Sequence, residues 1–361
     1  MKLARFEIQT GIGAAQIAAA FFFGTTFFGA MVLAAPAASA EEAVDTGPVA
    51  PRKPGVWSLT SENDMFGSGS DRNYSNGVRL DHVSAADHVH PALKWVAARL
   101  PWLEVERTDL RQGFGLTHAI FTPEDITRAD PDPLDRPYAG WLAMSATVVA
   151  TDDTTIDTLQ VNLGVVGPSA GGEFVQNNWH KMLGIPGAQG WSHQLEDEPG
   201  IEIIAQRMKR LGKAELPLGL EADFGGHLGV ALGNVRTYAN TGMTARIGWD
   251  LDSGFGPPRI RPALAGAGDF TPGTDEAPWG GYVFVGVDGR ATARDMFLDG
   301  NLWQDSARVD DRRDFVGDLQ AGVAVHYRDV QVAFTWVNRT EQFAYQDGPQ
   351  QFGAVSISIA H

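Results

Sequence analysis

The chain has no cysteine among its 361 residues, so no disulfide can staple it. Beyond residue 40 it has no apolar run approaching the roughly 18 to 20 residues that a spanning helix needs. It also lacks positive charge: 28 Lys and Arg stand against 44 Asp and Glu, a net of −16. Residues 1–40 hold Lys2, Arg5 and Glu7, so the remainder carries −17. Such an acidic chain is a poor nucleic-acid binder. Zinc-protease, redox, P-loop and dinucleotide fingerprints are missing, and there is no sustained internal repeat.

The N-terminus reads as a targeting segment. Lys2 and Arg5 form a basic start, an apolar run follows to about Ala35, and Ala38-Ser39-Ala40 supplies a small-residue cleavage site. The expected organisation is a signal peptide over 1–40, a Pro-rich disordered tether over 41–54 and one barrel domain over 55–361. The competing reading of the first segment is a retained membrane anchor.

Short runs with period-two alternation fill the rest. They are 56–60, 77–83, 112–120, 140–150, 157–166, 201–209, 221–232, 244–250, 282–288, 318–327, 330–337 and 351–360. About twelve candidates is the even count shown by single-chain bacterial barrels. In Gln160-Val161-Asn162-Leu163-Gly164-Val165, apolar side chains alternate with polar or small ones. That pattern fits lipid outside and a polar lumen inside, with Trp and Phe flanking as girdles. A soluble β-sandwich with one wet face carries the same alternation. The sequence predicts an all-β, antiparallel transmembrane barrel. The final residue is His361, not the aromatic common at that place.

One segment breaks the pattern. Gly172 to Leu183 lacks alternation, and Gly184 stands where a helix C-cap glycine would. A loop helix there puts Gln176 and His180 on one face. Phe174, Trp179 and Leu183 are expected to pack it on the barrel.

Four further residues join this pair as candidates for chemistry. His180 can act as a general base, or simply bond loop backbone. Asn63 ends the outward row of the first strand, where an amide can donate to an oxyanion. Asp64 can ligate Ca²⁺ through hard oxygen; both can equally be a polar strand end. Ser75, near Asp64 across the first hairpin, can be a nucleophile, an oxyanion donor or a turn hydroxyl. No Gly-x-Ser-x-Gly elbow surrounds it. Arg136 can meet an anionic head group, though pairing with Asp135 is the simpler expectation.

Taken together, these segments resemble the lipid A 3′-O-deacylase family of Gram-negative outer membranes. The matching pieces are Asn63-Asp64, Tyr74-Ser75-Asn76-Gly77, Asp135-Arg136, Gly167-Pro168 through Gln176 and His180, then Trp191 and Gln194. The resemblance implies a twelve-stranded barrel in the Gram-negative outer membrane, with its site near the outer leaflet; a monomer is expected. It implies hydrolysis of the 3′-linked acyloxyacyl chain of lipid A, dependent on Ca²⁺. His180 resembles the base that activates water, as in secreted phospholipase A2 chemistry. Gln176, Asn63, Asp64 and Ser75 match active-site positions, with Asp64 as metal contact and Asn63 or Ser75 on the oxyanion. The chain departs from the family pattern in two places. Pro133-Leu134 stands where a lysine is found, and Pro186 and Ala188 where an acidic residue and a tyrosine are found. The competing functions are an outer-membrane phospholipase and a non-enzymatic channel plugged by the polar loop.

Overall fold

The computed structural model describes residues 53–67, 72–86, 88–100, 102–103, 108–260 and 269–361. The expected signal peptide, and the tether up to residue 52, lie outside the described residues. At the tether's end Lys53 is held by Asp269, Nζ to Oδ1 2.7 Å.

Twelve antiparallel strands close into a barrel, β1 pairing with both β2 and β12. They are β1 (Val56–Asn63), β2 (Asn73–Val83), β3 (Asp109–Thr122), β4 (Ala139–Thr151), β5 (Thr155–Val166) and β6 (Glu198–Glu215), followed by β7 (Glu221–Gly233), β8 (Arg236–Trp249), β9 (Trp279–Asp295), β10 (Phe315–Tyr327), β11 (Val330–Arg339) and β12 (Gln350–Ala360). Short helices lie between them: α1 (Pro91–Ala97), α2 (Gly172–Leu183) and α3 (Met296–Asp299). Closure removes the sandwich alternative and leaves no edge strand.

Alternation sorts the two faces. On β1, Ser58, Thr60 and Glu62 are buried toward the lumen, while Trp57, Leu59 and Ser61 look outward. Outside, Met144, Leu163, Leu228, Val285, Val325 and Val332 are all exposed. An apolar belt of this extent is unstable against water and is what lipid covers.

The lumen is filled. Arg79 holds Asp81 and Thr117, Arg339 grips Asp318 through two bonds of 2.8 and 2.6 Å, and His227 meets Asp288 at 2.6 Å. The connection after β8 does not stay at its own rim. It runs up the inside, where Phe255, Arg259 and Ile260 are buried. Arg246 donates to Gly254 O at 2.7 Å on the way. Its returning limb places Asp269 against Arg111 at 2.6 Å. An aqueous channel needs an open bore, and this packing argues against the plugged-channel reading.

Candidate active site

Of the groups singled out in the sequence, those of the first hairpin and of α2 lie at the rim opposite the chain termini, with Asn63, Ser75 and the helix on the outside of the wall. There the pairing register sets one row: Asn63 faces Asn76, Asn76 faces Ile120, and Ile120 faces Gly140. All four sit on the lipid side. Helix α2 lies against β3 and β4 at this level. Gly140 has no side chain because none fits: a Cβ there would stand 3.1 Å from Ala170 Cβ and 3.2 Å from Gly172 N. Ile120 packs with Tyr138, Ala188 and Trp191, and Val175 of the helix leans on the same cluster. At about 4.8 Å per strand step, Asn63 is roughly 10 Å from the Ile120 position that the helix touches.

Helix α2 ends where predicted, at Gly184 with φ 70°. Its buried stripe is Gly172, Gln176 and His180. Phe174 is 60% exposed and faces away, so it is Val175 and the glycine contact that seat the helix, not Phe174. His180 Nδ1 lies 2.7 Å from the carbonyl of Pro186. A carbonyl only accepts, so in the neutral ring Nδ1 carries the hydrogen and Nε2 keeps its lone pair. Gln176 Oε1 accepts from the Trp191 indole at 2.8 Å. The indole only donates, which fixes the amide's orientation and leaves Nε2 as a buried donor with no hydrogen-bond partner among the described residues. Such an orphan is costly in a finished core and is at home in a site that receives a ligand or water.

The hairpin groups are held with similar care. Asn63 Oδ1 accepts from Met65 N at 2.8 Å, capping a short turn and leaving its NH₂ as the donor end. Asp64 is fully buried, and its Oδ2 accepts from Arg72 N at 2.8 Å. The register shifts between Tyr74 and Asn76, and Ser75 is the bulged residue. The bulge turns its hydroxyl to the outer side, 2.6 Å from Thr122 Oγ1. Asn63 and Ser75 therefore share the outer face and level of α2, with Asp64 in the turn one residue beyond. The described bonds join each of the five groups to its own surroundings.

For a divalent cation, the hairpin offers the Asp64 carboxylate and Asn73 Oδ1, which is buried and has no hydrogen-bond partner among the described residues. These are hard oxygens of the kind Ca²⁺ takes. Among the described residues no three His, Cys, Asp or Glu side chains converge into a metal cluster, so the donors fit in kind and further oxygens would come from backbone or water.

Arg136 differs from expectation. Asp135 accepts from the Arg136 backbone N at 2.7 Å and from Glu124 N, also at 2.7 Å, rather than from the guanidinium. The Arg136 side chain is buried over the Phe121 ring, and burial pushes its pKa down to about 10. It is out of reach of a lipid head group.

Two features escaped the sequence reading. His118 faces outward on β3 and is buried, its Nε2 3.0 Å from the Ala170 carbonyl. It tethers the turn that launches α2. A histidine within an otherwise lipid-facing row was the available signal. The other is Gly167-Pro168-Ser169-Ala170-Gly171, which has the Gly-x-Ser-x-Gly spacing of a nucleophile elbow. Ser169 is exposed, and its hydroxyl donates to Asp197 Oδ2 at 2.7 Å while its N–H donates to Oδ1 at 2.7 Å. Both bonds latch the loop.

Comparison with known proteins agrees with this architecture. A family model described as outer membrane protein LpxR matches residues 25–361. No curated protein matches by sequence. Among solved structures, LpxR from Salmonella typhimurium is similar with a TM-score of 0.67 and 19% identity, covering 85% of this chain and 100% of that one. The β domain of the Bordetella autotransporter BrkA has a TM-score of 0.44 and 10% identity, covering 86% and 100%. An outer membrane channel from Pseudomonas putida F1 has 0.40 and 12%, covering 88% and 100%.

Proposed function

The chain belongs to the outer membrane protein LpxR family, which makes it an outer-membrane barrel, and from that premise we propose that it is a lipid A deacylase that hydrolyses the 3′-linked acyloxyacyl ester. The observation that carries the proposal is the buried pair on α2: a histidine tautomer set by Pro186 beside an amide set by Trp191, both held against the lipid side of the wall.

The chemistry follows from those groups. His180 Nε2 takes a proton from water, and the water oxygen attacks the ester carbonyl carbon. Negative charge grows on the carbonyl oxygen, where the Asn63 amide, the Ser75 hydroxyl and the Gln176 NH₂ are the available donors. As the ester C–O bond breaks, His180 returns the proton to the departing sugar oxygen. The products are a free fatty acid and a sugar hydroxyl. A divalent cation held through Asp64 would supply positive charge to the same oxygen or to the substrate's phosphates when bound. The substrate arrives from the outer leaflet, on the face where α2 lies.

Mass spectrometry of lipid A from cells expressing the wild type or His180→Ala tests this. The wild type should remove the 3′ chain, and the variant should lose on the order of 10²-fold or more in rate. Identical acylation with both would end the proposal.

A further inference from the structure

We propose that Arg259, delivered through the lumen from the opposite rim, is a positioning residue for the Asn63-Asp64 end of β1. The inference rests on reading those two residues as site groups. Three consecutive side chains take three directions: Glu62 into the lumen, Asn63 to the outer face, and Asp64 into the turn. Of the three, Glu62 is the one bonded by the described part of the lumen segment, and one of its oxygens carries two bonds from it. Arg259 Nε donates to Glu62 Oε1 at 2.5 Å, and Ile260 N donates to the same oxygen at 3.0 Å.

The guanidinium does more than neutralise Glu62. Its Nη1 donates to Gln320 Oε1 on β10 at 3.1 Å, and its plane lies 5.5 Å from the Phe352 ring on β12. Arg259 thus ties β1 to β10 across the barrel, with the strand beside β1 as a backing. The side chains of both partners are almost wholly inaccessible, 2% and 1%. A buried ion pair seldom stabilises more than an apolar pair of the same shape, while removing one partner strands the other charge. Such a pair is best explained by the geometry it enforces, and here it holds the backbone from which Asn63 and Asp64 project.

The test is hydrogen exchange by mass spectrometry on the full-length barrel in detergent, comparing peptides over 61–75 with peptides over 201–210. Folding is checked by heat-modifiable gel migration. Arg259→Gln and Glu62→Gln should each speed exchange of the first hairpin by about tenfold, leaving 201–210 unchanged. The double variant should be no worse than the more affected single, since one unit is lost once. Arg259→Lys, which keeps charge but not the fork, should recover part of the protection. Wild-type exchange in Arg259→Gln, or equal acceleration in both regions, would overturn the proposal. In deacylation assays the same variant should lower kcat with little change in KM. If the wild type fails to deacylate lipid A, the proposed function falls, while the exchange result still decides the brace.

Discussion

The carbonyl of Pro186 stands 2.7 Å from Nδ1 of His180, so a backbone group does the orienting that a carboxylate does in many histidine sites. Main-chain orientation tolerates a change of side chain. Pro186→Ala should therefore keep lipid A deacylation within about threefold of wild type, provided the loop keeps its path. His180→Gln, which retains size and polarity but no base, should lose on the order of 10²-fold or more. Initial rates on purified lipid A check both.

Trp191 fixes Gln176 through one indole hydrogen bond of 2.8 Å. Trp191→Phe keeps most of the aromatic bulk in the Ile120 cluster and removes that donor. Stability should fall by about 1 kcal/mol. Activity should fall further, up to roughly 100-fold, because the amide can then rotate away from its working orientation. A loss of activity no larger than the loss of folded protein would contradict a positioning role for this bond.

The wall and α2 meet over glycine. Gly140→Val places branched carbon where even a Cβ would be 3.1 Å from Ala170 and 3.2 Å from Gly172. Overpacking of this kind costs about 1–3 kcal/mol and here should lift the helix rather than open the barrel. Gel migration should stay that of a folded barrel, while protease sensitivity within 167–197 rises and hydrolysis is lost.

At the rim that holds the termini, acid weakens one cluster. Burial alone would raise the Asp252 carboxyl, but Lys213 and Arg210, each 2.6 Å away, outweigh it and hold its pKa below the ordinary range. A depressed acid stabilises the fold above its unfolded pKa of about 3.9 and loses that contribution as pH falls through the folded value. The Asp252 side chain is 60% exposed, so the gain is that of a surface pair, ~0.2–1 kcal/mol. Unfolding temperatures of wild type and Asp252→Asn should differ by a few degrees at most above pH 5 and converge toward pH 3.

The barrel was legible because its solvent imposes a period. Every alternating run in the sequence falls within a strand of the structure, apart from a residue at the end of β8. The strands are longer than the runs where the alternation weakens. Beyond the run on β6 the register shifts between Arg210 and Gly212, and on β8 the outer row begins with Thr237, Ala239 and Thr241. Helix α2 was legible from its broken period and from Gly184. The row Asn63, Asn76, Ile120 and Gly140 was not, because register across three strands and a bulge at Ser75 cannot be read from one chain. Arg136 was misplaced for a related reason: its guanidinium lies over the Phe121 ring of β3 and donates to Gln342 rather than to the acid beside it. The lumen segment around Arg259 has no periodicity, so nothing local announces that it turns inward.

A filled bore with the proposed reacting groups on its flank would give the molecule a sideways door. Encounter with a lipid substrate would then be a two-dimensional search within one leaflet, governed by lipid packing rather than by concentration in water. On the proposed reaction, the fatty acid would stay in that sheet and the trimmed saccharide would keep its place in the cell's outer coat. Competitors confined to water would have to cross the same crowded layer, so inhibitors of such a site should be sought among amphiphiles.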